Sequence, residues 1–442
     1  MLTIETRAEF VPEKEYCFHV LFREMLGIDY KVVWSDDPAY TIRLLNGGTL
    51  VIEDHFFQHI QDSNYLKTNY LPQKSTPLSW HNLYVEVLYG EPVIPPFSSQ
   101  NEPVIRCCAD IFAATFLMLT RWEEYVLPDR DEHGRFPARA STAVRFQFLY
   151  RPVVNEWADL LYEMLHHLGW EQARPERKFR MSISCDVDHP RLWWSAAGRF
   201  KTLAGSVFKR KSLKEAVFLL KNHFFKTGDP YDVFDNWMDI LEQHGLRAQF
   251  NFLGERAASS DCYYPVQHPF VVATIRKIAA RGHTIGFHPS YEAFDQPELF
   301  HRELDSIRRI SPVPVTSGRQ HYLRFSAPET WRIWESAGMD WDSTLGYSEA
   351  EGFRCGICHD FPVFDFLERK MLRLREKPLV AMDVTLALYR QYTASEAIDR
   401  LHQLRKQVER HQGEFVLLWH NSSWNTYFWA GWKDVFLRFV ST

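Results

Sequence analysis

The sequence lacks several features that would assign it to a special class of protein. Its 442 residues contain no run of 18 apolar residues, so no helix is expected to cross a membrane. The start of the chain lacks the basic segment and apolar core of a secretory signal, which favours a cytoplasmic location. With seven cysteines and no export signal, we expect free thiols rather than disulfides. The net charge of −5 is small and mixed in sign, which gives no support to a nucleic-acid partner.

The pattern of apolar residues predicts two domains that meet within residues 171–178, a polar stretch that contains a proline. We expect residues 1–175 to form an α+β accessory domain. In residues 176–442, short β-like runs alternate with helical segments, which is typical of a parallel α/β sheet or barrel. The strands are predicted at 42–53, 82–89, 179–185, 247–253, 283–288, 321–327, 341–345, 379–384 and 415–420. The helices are predicted at 15–27, 109–126, 153–168, 232–244, 268–281, 296–309, 328–337 and 394–412.

One segment interrupts this alternation. Residues 194–226 are helical in pattern and rich in aromatic residues and lysine. They are interpreted as a solvated helix pair that covers the sheet, or as a basic amphipathic surface, centred on 207–226, that meets a membrane or a lipid-linked substrate. The second interpretation adds a peripheral membrane location to the cytoplasmic one.

Polar side chains collect at the carboxyl ends of the predicted strands. The residues at these positions are Asp186, Asp188, His288 and His420, and the strand predicted at 321–327 carries His321. In parallel α/β structures all strands end on the same face, so side chains far apart in sequence are expected to converge there. The pattern therefore predicts a functional site.

The two aspartates indicate what this site would hold. Asp186 and Asp188 can both stay ionised at this separation if a positive charge lies between them. Aspartate with two or three histidines is a typical ligand set for a catalytic divalent metal ion, with zinc as the first choice. Such an ion lowers the pKa of bound water to about 7, and the second aspartate would then act as a general base.

Three motifs together resemble the polysaccharide deacetylase family of carbohydrate-esterase type. They are Asp-x-Asp at 186–188, Gly-His-x-Ile-Gly-x-His at 282–288 and Leu-Leu-x-His at 417–420. The resemblance covers about residues 179–425. It implies a distorted (β/α)7 barrel in the C-terminal domain and a metal-dependent hydrolase of acylated amino sugars.

The resemblance also implies roles for individual residues. By position, Asp186 would be the general base and Asp188 a metal ligand, although this motif is one residue longer than the family's, which leaves the two roles open to exchange. His288 would be a second metal ligand. His420 would be the general acid that protonates the departing amine.

The third metal ligand is less clearly marked. Where the family has a second histidine, four residues after the first, this chain has Glu292. The replacement would be Glu292 itself, His189 or His321. We favour His321, because it lies near a predicted strand end beside Arg319 and Arg324.

Further candidates come from looser matches. Arg324-Phe-Ser-Ala-Pro328 resembles the family's arginine motif and makes Arg324 the candidate that keeps the base ionised. Tyr322, Trp424 and Asp383 are candidate substrate-binding residues. Trp424 is equally consistent with a core position, and a late aspartate such as Asp383 tunes the catalytic histidine in the family.

The function expected from these observations is removal of an N-acetyl or similar acyl group from an amino sugar. The substrate would be a saccharide or its nucleotide- or lipid-linked precursor. Two alternatives remain: an inactive deacetylase-like module that binds a saccharide or a protein, and an amidase acting on a non-sugar carbon–nitrogen bond.

Overall fold

The structure, a computed structural model, describes residues 1–60, 64–95, 103–208, 212–225, 228–255, 264–424 and 426–442. Within the helices at 196–208 and 213–225, the side chains at 196, 197, 199 and 222–225 are not described. All statements below refer to the described residues.

Residues 1–170, here called the N-terminal region, combine a mixed sheet with helices. The strands are β1 (Leu2–Arg7), β2 (Tyr30–Ser35), β3 (Tyr40–Arg43), β4 (Thr49–Ile52), β5 (Thr76–Trp80), β6 (Leu83–Val87) and β7 (Val104–Cys107). The helices are α1 (Val11–Phe18), α2 (Ile111–Thr120), α3 (Trp122–Val126), α4 (Thr142–Arg145) and α5 (Val153–His167). The sheet has the order β2-β1-β3-β4-β7, and β5 pairs with β6 as a separate hairpin.

Local sequence explains helix α2, which lies at the centre of this region. Asp110 begins it by accepting a hydrogen bond from the backbone N–H of Ala113 (2.9 Å), as expected of an N-cap residue. All residues from Ile111 to Thr120 are buried. The helix ends at Arg121, whose φ of 56° is left-handed, and α3 begins directly afterwards. The helix predicted at 109–126 is therefore present, but it is broken into two.

Residues 180–442, the C-terminal region, form a second and larger α/β unit. The strands are β8 (Arg180–Val187), β9 (Ala248–Leu253), β10 (Thr284–His288), β11 (Ser317–Gly318), β12 (Trp341–Asp342), β13 (Phe361–Asp365), β14 (Lys370–Glu376), β15 (Ala381–Met382) and β16 (Glu414–Leu418). The helices are α6 (Ala196–Phe208), α7 (Leu213–Phe225), α8 (Phe234–Gln243), α9 (Pro269–Ala280), α10 (Pro297–Ile310), α11 (Glu329–Ser336), α12 (Ala394–Arg410) and α13 (Trp432–Val440).

The sheet of this region has the order β13-β14-β12-β11-β10-β9-β8-β16-β15. Each neighbouring pair is parallel except β13 and β14. The predicted alternation of strands and helices is confirmed. The closed barrel is not: within the described part of the chain, the edge strands β13 and β15 do not pair, and the sheet stays open.

The predicted strand at 321–327 is wrong. The strand lies earlier, at β11, and His321–Leu323 forms a 3₁₀ turn. Tyr322 and Leu323 have φ values of 60° and 56°, which a strand does not allow. The hairpin of β13 and β14 was not predicted from the sequence.

A single cluster of buried apolar side chains runs through both regions. Polar contacts also cross between them. The Tyr16 hydroxyl donates to the Pro362 carbonyl (2.9 Å), and the Val154 N–H donates to the Gly356 carbonyl (2.8 Å). Residues 171–179, which contain the predicted boundary, have neither helix nor strand.

The interrupting segment forms the helix pair α6 and α7. Part of its predicted basic surface, residues 209–211 and 226, lies outside the described residues. Among the helices that the structure describes, none combines the length and the apolar character needed to span a bilayer.

Candidate functional site

The predicted polar residues stand at the carboxyl ends of parallel strands. Asp186 is the penultimate residue of β8, and Asp188 comes just after that strand. His288 is the last residue of β10, His321 follows β11, and His420 follows β16. Open α/β sheets bind ligands at this edge, because all the loops that follow parallel strands gather there.

Three of these residues form a compact group of potential metal donors. One ligand atom each from Asp188, His288 and His321 lies within 4.8 Å of the others. Oδ1 of Asp188 is 3.4 Å from Nε2 of His288 and 3.5 Å from Nε2 of His321. One carboxylate oxygen and two imidazole nitrogens are a donor set that suits zinc and related divalent ions.

The hydrogen bonds around this group fit a metal ion. Nδ1 of His288 lies 2.6 Å from the carbonyl oxygen of Arg319, so Nδ1 is the donor of that hydrogen bond and Nε2 is the ring nitrogen on the side of Asp188. Oδ1 of Asp188 is buried, and among the described residues it has no hydrogen-bond partner. A buried carboxylate oxygen without a partner is costly, and a cation at this point would satisfy it.

Asp186 lies deeper than Asp188 and is held by neutral and charged donors. Its Oδ1 accepts hydrogen bonds from Nη1 of Arg319 (3.0 Å) and from Nδ2 of Asn251 (2.6 Å). Further hydrogen bonds between side chains hold Asn251 in turn. Gln249 donates to Oδ1 of Asn251 (2.7 Å), and the Ser317 hydroxyl donates to Oε1 of Gln249 (2.8 Å). These contacts orient Oδ1, while Oδ2 lies 3.9 Å from Nε2 of His288.

The protonation of these groups follows from their charges. Burial raises the pKa of the Asp186 and Asp188 carboxyls, but Arg319 beside Asp186 and His321 beside Asp188 outweigh it, and both pKa values lie below their usual range. Burial lowers the pKa of His288, but the two carboxylates outweigh it and the pKa is raised. The negative charges of Asp186 and Asp188 therefore favour a positively charged group in this pocket.

His420 is paired with Asp383 on the opposite side of the site. Nδ1 of His420 lies 2.8 Å from Oδ1 of Asp383, and its backbone N–H donates to Oδ2 (2.9 Å). Nε2 points toward Oδ2 of Asp188, at 3.8 Å. Burial lowers the pKa of His420, but Asp383 and Asp188 outweigh it and raise the pKa to about 10. The two carboxylates thus favour the protonated form of His420.

Asp383 itself is fully buried behind the imidazole. Its carboxylate oxygens are occupied by the ring and the backbone of His420 and by the N–H of Val384. Asp383 was predicted to bind substrate or to tune the catalytic histidine, and these contacts place its carboxylate against His420.

The prediction for Arg324 is corrected. The arginine that contacts the predicted base is Arg319. Arg324 donates to the carbonyl oxygens of His133 (2.9 Å) and Tyr291 (2.6 Å), and its guanidinium lies over the rings of Tyr291 and Phe294, at 4.0 and 3.9 Å. The error came from the misplaced strand, since Arg319 follows β11 directly and Arg324 lies beyond the turn.

Trp424 is a core residue. It is 2% exposed, and its ring packs against Trp237 and Phe436 with centroids 6.0 and 5.1 Å apart. Its Nε1 donates to Asn236 (3.1 Å). A buried ring offers no face to a sugar, so Trp424 is not a binding platform.

Glu292 and His189, the two alternatives for the third metal ligand, contact other residues. Glu292 forms an ion pair with Arg324 (3.8 Å). The ring of His189 stacks on Tyr231, with centroids 6.0 Å apart. The donor group that includes Asp188 contains His321 and neither of these side chains.

A pocket of about 220 Å³ opens beside these groups. Its walls include seven residues that sequence reasoning did not select: Arg135, Gln320, Leu323, Met382, Val384, Tyr389 and Leu418. Of the three predicted substrate-binding residues, Tyr322 lines this pocket and is 40% exposed. Met382 and Leu418 end their strands, so their place at the same edge was a usable signal. No local pattern marks Arg135, which comes from the N-terminal region.

Comparison with known proteins gives limited information. Residues 2–169 match the model of a family of unknown function, DUF7033. No curated protein matches the chain significantly. Among solved structures, a candidate polysaccharide deacetylase from Mycobacterium smegmatis is similar over 61% of this chain and 85% of its own, with 15% identity and a TM-score of 0.40.

The pseudoenzyme BA3943 of the CE4 family, from Bacillus anthracis, is similar over 61% of this chain and 62% of its own, with 10% identity and a TM-score of 0.31. A BA3943 mutant with restored enzymatic activity shows 9% identity over 60% of this chain and 64% of its own, with a TM-score of 0.30. The chain spans less than two thirds of the length of both. Scores this low carry no argument about function, which depends here on the site's own geometry.

Proposed function

We propose that the C-terminal region is a metal-dependent hydrolase that removes an acyl group from the nitrogen of an amino sugar. One observation carries the proposal. The donor atoms of Asp188, His288 and His321 converge between a buried, arginine-held carboxylate, Asp186, and a protonated imidazole, His420. A base and an acid on either side of a cation site are the groups that amide hydrolysis requires.

Each residue has a role in this proposal. Asp188, His288 and His321 would hold a divalent ion, which when bound supplies Lewis acidity at a carbonyl oxygen and lowers the pKa of water. Asp186, ionised and oriented by Arg319, accepts the proton of the attacking water. His420, protonated because Asp383 lies behind it, donates a proton to the departing nitrogen.

The apolar part of the pocket supports a small acyl group. Leu323, Met382 and Leu418 pack together in a small buried cluster that also lines the pocket. An apolar wall beside the reacting groups favours a methyl-bearing acyl group over a charged one. A pocket of about 220 Å³ has room for such a group, while the rest of a larger substrate lies outside.

The rim of the pocket supports a sugar. Tyr322 and Tyr389 line it and are 40% and 42% exposed. Exposed aromatic rings beside a polar site are suited to stack on the faces of sugar rings. The small pocket volume equally fits a second candidate, the amide of a compact non-sugar compound, and a panel of both substrate classes distinguishes the two.

The experiment that tests the proposal separates the two aspartates. The purified protein is loaded with zinc or cobalt, and metal content and acetate release from N-acetylated oligosaccharides, nucleotide sugars and simple amides are measured. Asp186→Asn should keep the metal and lose at least about 100-fold in kcat, because it removes the base. Asp188→Asn should lose the metal and the activity together.

The matched control is Asp399→Asn, which changes an exposed aspartate on α12 and should leave metal content and rate unchanged. Wild-type protein that folds but binds no metal, or that binds metal and releases no acyl group from any member of the panel, contradicts the proposed hydrolase. The first result favours a binding module.

We further propose that α6 and α7 bring the protein to a membrane surface that presents a lipid-linked substrate. Phe200, Phe208 and Leu213 are 75%, 81% and 71% exposed. The exposed Lys201 and Lys214 lie on the same helix pair. Apolar side chains next to lysines support contact with an anionic bilayer.

A further inference from the structure

We propose that the N-terminal region is part of the metal site, because its Arg135 holds in place the turn that carries His321. This inference rests on the proposed metal site. It assigns a role to a region whose family match implies none, and it makes Arg135 a positioning residue for metal binding.

The turn that carries His321 is strained. Tyr322 has φ 60° and ψ 11°, and Leu323 has φ 56°. Left-handed backbone is unfavourable for a non-glycine residue, and such residues persist where the surroundings hold them. Two of them in succession need support from outside the turn.

Arg135 supplies that support from the other region of the chain. Its Nη1 donates to the carbonyl oxygen of Tyr322 (3.0 Å), and its Nη2 donates to the hydroxyl of Tyr389 (3.2 Å). Its Nε donates to Oδ2 of Asp131 (2.7 Å). The side chain is only 7% exposed. The guanidinium thus connects the strained turn at Tyr322, the pocket residue Tyr389 and Asp131 of its own loop.

The loop that carries Arg135 is held by hydrogen bonds of its own. Oδ1 of Asp131 accepts hydrogen bonds from the backbone N–H groups of His133 and Arg135, both at 2.9 Å. The turn then passes through Gly134, with φ 73°, a conformation that favours glycine. Asp131 therefore fixes both the backbone of the loop and the guanidinium that leaves it.

The C-terminal region also holds this loop. Nε of Arg324 donates to the carbonyl oxygen of His133 (2.9 Å). The ring of His133 lies against that of Tyr322, with centroids 4.8 Å apart. Arg324, first considered as a partner of the catalytic base, thus fastens the loop of the N-terminal region beside the pocket.

We expect that removal of Arg135 changes the conformation of the turn and thereby displaces the metal donor His321. Without Arg135, the Tyr322 carbonyl loses its donor, and the turn can relax toward ordinary backbone. His321, the preceding residue, would then move its Nε2 away from Asp188. Since donor sets tolerate only small displacements, removing a residue that orients a ligand typically weakens metal binding by about 10- to 100-fold.

The test measures metal binding rather than turnover alone. Full-length apo-protein carrying Arg135→Met, which keeps the length of the side chain but removes its donors, is titrated with zinc against a chelator. Its Kd should rise at least about 10-fold over wild type. The cobalt spectrum should change as well, because one imidazole is displaced. Arg135→Lys, which can still donate to the Tyr322 carbonyl, should recover part of the affinity.

The control is Arg139→Ala, an exposed arginine in the same region, which should bind zinc as wild type does. If Arg135→Met does not fold, as judged by circular dichroism, Asp131→Asn weakens the same support and should shift the Kd in the same direction. A folded variant with wild-type Kd and cobalt spectrum overturns the inference and leaves the proposed hydrolase standing. A wild-type protein without zinc affinity overturns both.

Discussion

The orientation of Asp186 depends on a glycine two strands away. Gly286 lies in β10, and a Cβ atom placed on it would be 1.9 Å from Oδ1 of Asn251 and 2.8 Å from Nε2 of Gln249. Asn251 in turn holds Oδ1 of Asp186. Gly286, the second glycine of the Gly-His-x-Ile-Gly-x-His motif, therefore leaves the space that the side-chain amides of Asn251 and Gln249 occupy.

We predict that Gly286→Ala retains the metal but is slow. The added methyl group must displace Asn251 and with it the carboxylate of Asp186, and a displacement of about 1 Å at a reacting group can cost about 100-fold in rate. We expect kcat to fall at least about 10-fold, with little change in metal content, in acetate-release assays. Gly198→Ala, on α6 and without such contacts, is the control. A wild-type kcat for Gly286→Ala would show that the amide chain is not needed.

At the scale of elements, α6 and α7 differ from the other helices in what they expose. The helices α8 to α13 each bury several apolar side chains, as α10 does with Leu299, Phe300 and Leu304. On α6, Phe200 and Phe208 face outward instead. Large apolar side chains on the outside of a helix indicate a contact with something other than water.

We predict that this helix pair binds anionic vesicles. Wild-type protein should cosediment with vesicles of phosphatidylcholine and phosphatidylserine, more weakly as salt is added. The double variant Phe200→Ser/Phe208→Ser should lose at least about 10-fold in binding, since burial of each phenylalanine contributes about 1.5–3 kcal/mol. Leu45→Ser, which changes an 88% exposed leucine of the N-terminal region, serves as the control. Equal sedimentation of double variant and wild type would exclude this contact.

At the scale of the whole molecule, a buried ion network joins the two regions. Glu124 of α3 accepts two hydrogen bonds from Arg354, at 2.9 and 2.5 Å, and a third from Arg121 (2.8 Å). These side chains are at most 3% exposed. The pair of Arg354 and Glu124 crosses between the regions, so removal of either partner leaves the other as a buried charge, which is costly.

We predict that Arg354→Ala lowers the free energy of unfolding by about 3 kcal/mol or more. Urea unfolding monitored by tryptophan fluorescence measures the change. Arg373→Ala breaks an ion pair whose arginine is 89% exposed, and it should cost less than about 1 kcal/mol. Replacing both partners, Arg354→Met with Glu124→Leu, should recover part of the loss. A cost for Arg354→Ala as small as that for Arg373→Ala would contradict this account.

The amino-acid sequence was sufficient to predict the alternation of strands and helices in residues 179–420 and the polar side chains at the strand ends. Both follow from local periodicity, which depends on a few neighbouring residues. Because parallel strands end on one face, the meeting of Asp188 and His288 could also be expected, whereas His321 was predicted at the start of a strand that the structure places earlier, at β11.

Contacts made through long side chains and irregular turns were decided by the tertiary structure. Whether Arg319 or Arg324 contacts the carboxylate of Asp186 depends on where the two-residue strand β11 ends and on the left-handed backbone of Tyr322. The periodicity of apolar residues predicts neither feature. The place of Arg135 in the pocket depends on how two regions pack, and the open edges of the sheet depend on pairing between distant strands. Such long-range contacts arise from the packing of the whole chain, so local sequence patterns do not contain them.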